Sequence, residues 1–223
     1  MMGGAVPSIN WLREVRTFAD KYGLRIHMDA ARGFNAAVYL GISIKELCSF
    51  ADSVSICTSK GLAAPVGSVL CADANLISKA HRMRKALGGG MRQAGIIAAG
   101  CKATFNPLCN NIKFYISALY ALTTMSKRIY EDNNNAKRFA DIVSKYDFVN
   151  IDMNYVHTNI VRFKLKGFSH AEFIERCATQ DIISVLLLNV SGGYLRVVFH
   201  NDSKGKNVDL GAEKLKKVLD NMC

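Results

Sequence analysis

Asp52-Ser53-Val54-Ser55-Ile56-Cys57-Thr58-Ser59-Lys60-Gly61-Leu62 joins a short strand-like run to a polar turn. Residues 53–57 alternate β-branched and small side chains, as a half-buried strand does, and Lys60 follows almost at once. A polar residue just beyond a strand end is the place where open α/β sheets bind ligands. Working outward, residues 24–28 read as another short strand, with Asp29 directly after it. Between the two, Ser43-Ile44-Lys45-Glu46 has the spacing of a capping box and opens a helix. Further back, Ile9, Leu12, Val15, Phe18, Ala19 and Tyr22 recur at helical spacing, with Pro7-Ser8 as a start signal and Gly23 as a stop. Beyond Lys60, a Gly/Pro-containing turn leads to a third strand over 66–71. Helix, strand and polar strand end repeat in the rhythm of an α/β fold.

Residues 73–87 form a helical pattern that Gly88-Gly89-Gly90 interrupts, and 91–103 is helix-compatible up to Asn106-Pro107. A long helical stretch from about 111 to 146 then connects to strands at 159–165, 182–188 and 194–200, with helices at 169–179 and 208–222. This second half reads as a smaller α/β domain. The chain accordingly divides into a ligand-binding part over 1–112 and a C-terminal domain over 113–223. It shows no internal repeat.

The 223 residues are 50% apolar and 21% charged, the balance of a globular protein with a sizeable core. There is no apolar run of the ~18 residues that suggest a membrane span, and Met1-Met2-Gly3-Gly4-Ala5-Val6-Pro7 lacks the regions of a signal peptide. A cytoplasmic protein with no membrane partner is expected. Seven cysteines contain no C-x-x-C pair and no regular spacing, which points to neither a metal site nor a disulfide framework. The net charge of +11 is spread along helices without interleaved aromatics, so a nucleic-acid partner is not expected. Pockets for phosphate and carboxylate account for part of the excess.

Four groups carry candidate chemistry. Lys60 reads either as a solvated loop charge or, with apolar strands on both sides, as a partly buried amine whose neutral form is available for Schiff-base chemistry. Asp29, at the end of another strand, is either the partner of a cationic ring nitrogen or one half of a surface ion pair with Arg32. Arg82, Arg84, Lys85 and Arg92 surround the glycine run, where backbone amides and cations can gather an anion; a charged linker is the plain alternative. Arg196 sits in an otherwise apolar strand, and its planar guanidinium suits a carboxylate.

Together with 27–37, Ala64-Pro65-Val66-Gly67-Ser68 and Gly88-Gly89-Gly90-Met91-Arg92-Gln93, the opening stretch resembles consecutive motifs of the low-specificity threonine aldolases, in order and spacing. The resemblance is strongest from Gly3 to about Gly100. It implies a lyase of threonine and allo-threonine metabolism that forms glycine, and part of an aspartate-aminotransferase-type pyridoxal-phosphate-dependent fold with a smaller C-terminal α/β domain. It also implies a homotetramer with sites at subunit interfaces. Lys60 matches the Schiff-base lysine, and Asp29 the partner of the pyridine nitrogen. Arg32 matches the arginine near the cofactor phenolate and substrate carboxylate, Arg196 the carboxylate-binding arginine and Lys85 a further cationic position. Arg92 matches an arginine that reaches the cofactor phosphate across a subunit interface. Ala30 stands where the family usually has glycine, and Ala63 where it often does. The family's Gly-Thr phosphate loop and two site histidines would precede Met1, so the resemblance implies a truncated chain, poorly active alone or serving as an assembly subunit.

Overall fold

Ser8 opens the first helix as its side chain accepts the Trp11 amide, which fixes α1 at Ile9–Lys21. The computed structural model describes residues 3–64, 67–95, 125–180, 188–190, 193–201 and 206–222. After α1 come β1 (His27–Asp29), α2 (Gly33–Leu40), α3 (Ile44–Cys48), β2 (Ser53–Cys57), β3 (Ser68–Cys71) and α4 (Ala74–Ala86). Then follow α5 (Ser126–Val143), β4 (Val149–Asn150), a 3-10 turn (Met153–Tyr155), β5 (Ile160–Leu165), α6 (His170–Thr179), β6 (Leu188–Val190), β7 (Tyr194–Val198) and α7 (Lys206–Asp220). The chain clusters into two compact units, one over 7–129 and one that joins 1–6 to 130–223. The expected boundary at 112/113 lies outside the described residues, as do most of the helix expected over 91–103, the first part of the long helix and most of the expected strand over 182–188.

In the first unit, β2 is the central strand of three. It pairs in parallel with β1, His27 opposite Ser53 and Asp29 opposite Ser55, and antiparallel with β3, Cys57 opposite Ser68. The strand expected over 24–28 is displaced to His27–Asp29. The Ile26 carbonyl is taken instead by the Asp52 and Ser53 amides, in the turn that starts β2. Asp52 pins this corner: Arg16 and Arg25 donate to its two oxygens at 2.8 and 3.0 Å, and the Ile26 amide donates at 2.8 Å. The Arg16 guanidinium, followed by the Ile26 amide, holds the Asp52 carboxyl well below the usual carboxylate range. Ser43 caps the helix it was expected to open, its hydroxyl accepting the Glu46 amide. Asp73 caps α4 in the same way.

α2 was not apparent from sequence. Its residues 33–40 carry no charged residue to mark an outer face, so they lack the amphipathic signature of a surface helix. It terminates at Gly41, whose φ of 68° needs a residue without Cβ. Its buried side packs Ala37 with Leu12 and Leu47, joining α1, α2 and α3 over one face of the sheet. Ala30, Val54 and Ile56 form a second cluster at the sheet itself.

The second unit is a four-stranded sheet in the order β4-β5-β7-β6, every pair antiparallel. Along β5 and β7 the core side chains Val161, Phe163, Leu195 and Val197 are fully buried and pack with Ala136, Ala140 and Val143 of α5, Phe173 and Cys177 of α6, and Leu215, Val218 and Leu219 of α7. Burying side chains of this size is worth about 1.5–3 kcal/mol each, so this face organises the unit. Cys177, deep in that core, has its thiol pushed up to about 12 by burial. Residues 3–6 are tied to the same unit. The Thr158 hydroxyl donates to the Gly4 carbonyl at 2.9 Å, and the Val6 amide donates to His157 Nδ1 at 2.9 Å.

Candidate active site

The C-terminal ends of β1 and β2 face the same way because the two strands are parallel. Asp29 is therefore at one strand end and Lys60 three residues past its neighbour, on one edge of the sheet. The Asp29 carboxylate accepts the Ala31 amide at 3.0 Å and is exposed. Arg32, half-buried, follows as the residue that precedes α2.

Lys60 rides on a closed turn. The Thr58 amide and hydroxyl both donate to the Gly67 carbonyl, at 3.1 and 2.8 Å, which seals the base. Inside it, the Ala64 amide donates to the Thr58 carbonyl at 3.0 Å and the Ala63 amide to the Lys60 carbonyl at 2.8 Å. Thr58 and Leu62 are buried, whereas Ser59 and Lys60 are exposed. The turn is fixed and its lysine points outward. The expectation of partial burial for Lys60 is thus corrected, because the apolar strands bury the residues that brace the turn and leave the amine at the surface. Asp29, at the end of a three-residue strand, is exposed as well and takes its hydrogen bond from the next turn.

Lys85 and Arg92 lie on either side of the glycine run, both exposed. The run is folded back on the helix: Arg84 donates through Nε to the Gly89 carbonyl at 2.8 Å, and a Cβ on Gly90 would stand 2.7 Å from Lys85 Cδ. Arg196 belongs to the other unit, half-buried on β7, directly opposite Arg162 of β5. The Arg162 guanidinium stacks over the Tyr194 ring at 3.5 Å. Asp29, Arg32 and Lys60 are brought to one edge of one sheet; Lys85 lies in the last turn of α4 and Arg92 beyond it, and Arg196 belongs to the other unit.

Sequence reasoning passed over Asn35 and Thr58, both polar and buried beneath the Lys60 turn. The available signal was an asparagine in the otherwise apolar run Phe34-Asn35-Ala36-Ala37-Val38. His27 is exposed, its Nδ1 lying 2.8 Å from the Ser53 hydroxyl.

A parallel strand pair with a lysine and a carboxylate at one edge, and a separate unit built on an antiparallel sheet, belong to the class that the solved structures show: the pyridoxal-phosphate-dependent fold of the aspartate-aminotransferase type. An aminotransferase of that cofactor class from Streptococcus suis superposes with a TM-score of 0.61 at 16% identity, over 99% of this chain and 55% of the other. A candidate L-allo-threonine aldolase from Listeria monocytogenes does so at 0.71 and 20%, over 97% and 58%. The chain belongs to the beta-eliminating lyase family, which it matches over residues 1–166. It is 32% identical over 201 residues to low-specificity L-threonine aldolase 1 of Arabidopsis thaliana, covering 89% of this chain and 51% of the relative. The low-specificity L-threonine aldolase of Escherichia coli K12 is 39% identical over 138 residues, covering 62% and 36%. The first of these relatives is about twice as long as the aligned stretch. Among the described residues no helix is long and apolar enough to cross a membrane.

Proposed function

We propose that this chain carries the lysine-bearing part of a pyridoxal-phosphate-dependent aldehyde-lyase, which cleaves threonine, allo-threonine and related β-hydroxy-α-amino acids to glycine and an aldehyde. The observation that supports it most is the placement of an exposed lysine, on a turn pinned by Thr58 and Gly67, at the same sheet edge as an exposed aspartate. The donor set suits the cofactor chemically: an amine for an aldehyde carbon, a carboxylate for a protonated ring nitrogen, guanidinium groups for phosphate and carboxylate. When bound, pyridoxal phosphate supplies an electron sink for the electrons of a broken bond at the amino-acid Cα.

The residues do the rest. Lys60 would hold the cofactor through its side-chain amine. Asp29 keeps a proton on the ring nitrogen by offering its carboxylate as acceptor. Arg32 and Arg196 are each assigned by the resemblance to the substrate carboxylate, and holding that carboxylate would fix the direction of the bond to be cleaved. Arg92 neutralises phosphate, and Lys85 adds positive charge to the substrate region. The partners that follow are a small amino acid and further copies of the chain.

The test is direct. The purified chain is incubated with pyridoxal phosphate, reduced with borohydride and peptide-mapped, and the pyridoxyl group is expected on Lys60. A label on Lys79 or Lys85 with Lys60 unmodified overturns the assignment. Products from threonine separate the chemistry: glycine and acetaldehyde report Cα–Cβ cleavage, whereas ammonia and 2-oxobutyrate report β-elimination and refute the aldehyde-lyase reading.

A further inference from the structure

Gly61, the residue after Lys60, has two near neighbours from elsewhere in its unit. A Cβ built on it would lie 3.4 Å from Ile129 Cδ1 and 3.5 Å from Asn35 Oδ1. Asn35 is 1% exposed and Ile129 0%. One side of the seat is therefore hydrocarbon and the other a carboxamide. Asn35 lies in α2, three residues after Arg32 and six after Asp29. Through Asn35, the segment that carries Asp29 and Arg32 lies beside the segment that carries Lys60.

A buried carboxamide has to satisfy its donors and acceptor inside the protein, which fixes its orientation far more tightly than shape alone fixes a leucine. A glycine with no side chain of its own takes its position from what it rests on. We propose that Asn35 is a positioning residue for Lys60: seated under Gly61, it sets the height and direction at which the lysine leaves its turn, in register with Asp29. The proposal rests on Lys60 being the cofactor-holding residue. It assigns a role to a side chain that need touch neither cofactor nor substrate.

Ile129 lines the same seat with hydrocarbon and offers no hydrogen-bonding group. Thr58 complements Asn35 by tying the turn to Gly67. Thr58 closes the loop; Asn35 aims it. Loss of aim matters because capture of an aldehyde by an amine requires an approach within a narrow range of direction, and a displacement of ~1 Å can cost about a hundredfold in rate.

The experiment compares wild type with Asn35→Ala, Asn35→Ser and Asn35→Asp, each as the full chain and each checked for folding by circular dichroism. Pyridoxal phosphate and borohydride are applied in short pulses. The ratio of pyridoxyl label at Lys60 to that at Lys45, an exposed lysine on α3, is then read by peptide mapping. Lys45 serves as an internal standard that general loosening of the fold does not raise or lower relative to other surface lysines. Wild type is expected to label Lys60 preferentially. Asn35→Ser, whose side chain is shorter than the carboxamide, and Asn35→Ala should lower the ratio about tenfold, and Asn35→Asp, which keeps an oxygen but replaces the amide donors with a buried carboxylate, should not recover it. A wild-type label that avoids Lys60 overturns the assignment of the lysine itself. A preferential Lys60 label that survives unchanged in folded Asn35→Ser or Asn35→Ala overturns only the role of Asn35. Should Asn35→Ala fail to fold, the Ser variant carries the decision.

Discussion

Ala63 holds φ at 53°, in the left-handed region that L-residues enter at a cost of about 1–2 kcal/mol. It does so because its amide closes the turn onto the Lys60 carbonyl. Glycine adopts that φ freely but loses more freedom on folding, a counter-cost of about 0.5–1 kcal/mol. Ala63→Gly is therefore expected to stabilise the chain by about 0.5–1 kcal/mol, read as a shift in urea midpoint with an unchanged slope. A destabilised variant would show that the alanine methyl contributes packing that outweighs the strain. The sequence resemblance already marked position 63 as one where glycine is common, and the positive φ supplies the reason. At Ala30, the other such position, φ is not at issue and the methyl itself is what matters.

At the scale of elements, Ala30 and Gly33 form the joint where β1 turns into α2. A Cβ on Gly33 would lie 2.9 Å from the Ala30 methyl and 3.3 Å from Ile44 Cδ1, so something must shift. Gly33→Ala alone should cost about 1–3 kcal/mol through overpacking. Because the nearest obstacle is the Ala30 methyl, Ala30→Gly in the same chain should return more than half of the loss. A double-mutant cycle on thermal stability checks this, and additive effects would place the strain elsewhere. The corner at Asp52 gives a pH-dependent counterpart. Its folded carboxyl is depressed by Arg16 and the Ile26 amide, so the stability it contributes is complete above the ordinary aspartate value of 3.8 and is lost as pH falls through the lower folded value. Asp52→Asn should lower the melting temperature at pH 7 and flatten its fall below pH 4; equal slopes for the two chains would remove Asp52 from the acid transition. These elements also show what sequence carries. Ser43, Asp73 and Ser169 announce their helices because a cap is a local interaction between a side chain and an amide at most three residues away. α2 was missed because a helix without a polar side gives no period to read. β1 was misplaced because Ile26 is committed to Asp52 across 26 residues, a contact that no local pattern encodes. Lys60 and Asp29 were legible through their strand ends, but their exposure was not. Exposure depends on what stands over the sheet edge, and the segment itself does not specify that.

For the whole molecule, the informative element is α4, which has no buried residue along its 13 positions yet carries Arg82, Arg84 and Lys85 and leads to Arg92. A helix of this length is marginal alone and draws its stability from packing an apolar face. Exposed Leu76, Met83 and Leu87 supply apolar surface for such a contact. The proposal that copies of the chain assemble, with Arg92 of one reaching the phosphate site of another, gives this helix a function and can be tested by complementation. Lys60→Ala retains Arg92 but has no anchoring lysine; Arg92→Ala retains the lysine but lacks the phosphate contact. Losing one charged hydrogen-bonding partner costs about 1.5–3 kcal/mol, so Arg92→Ala alone should bind pyridoxal phosphate at least tenfold more weakly while keeping its circular dichroism. When the two variants are mixed and allowed to exchange subunits, half of random dimers pair one of each. In those, the site with Lys60 receives Arg92 from the other chain, so about a quarter of all sites should regain wild-type affinity. Titration of the mixture would then show a tight phase that neither variant shows alone. A mixture that titrates as the sum of its parts would mean that Arg92 serves its own chain's site or none, and Arg92→Ala with undiminished affinity would remove it from the phosphate site altogether.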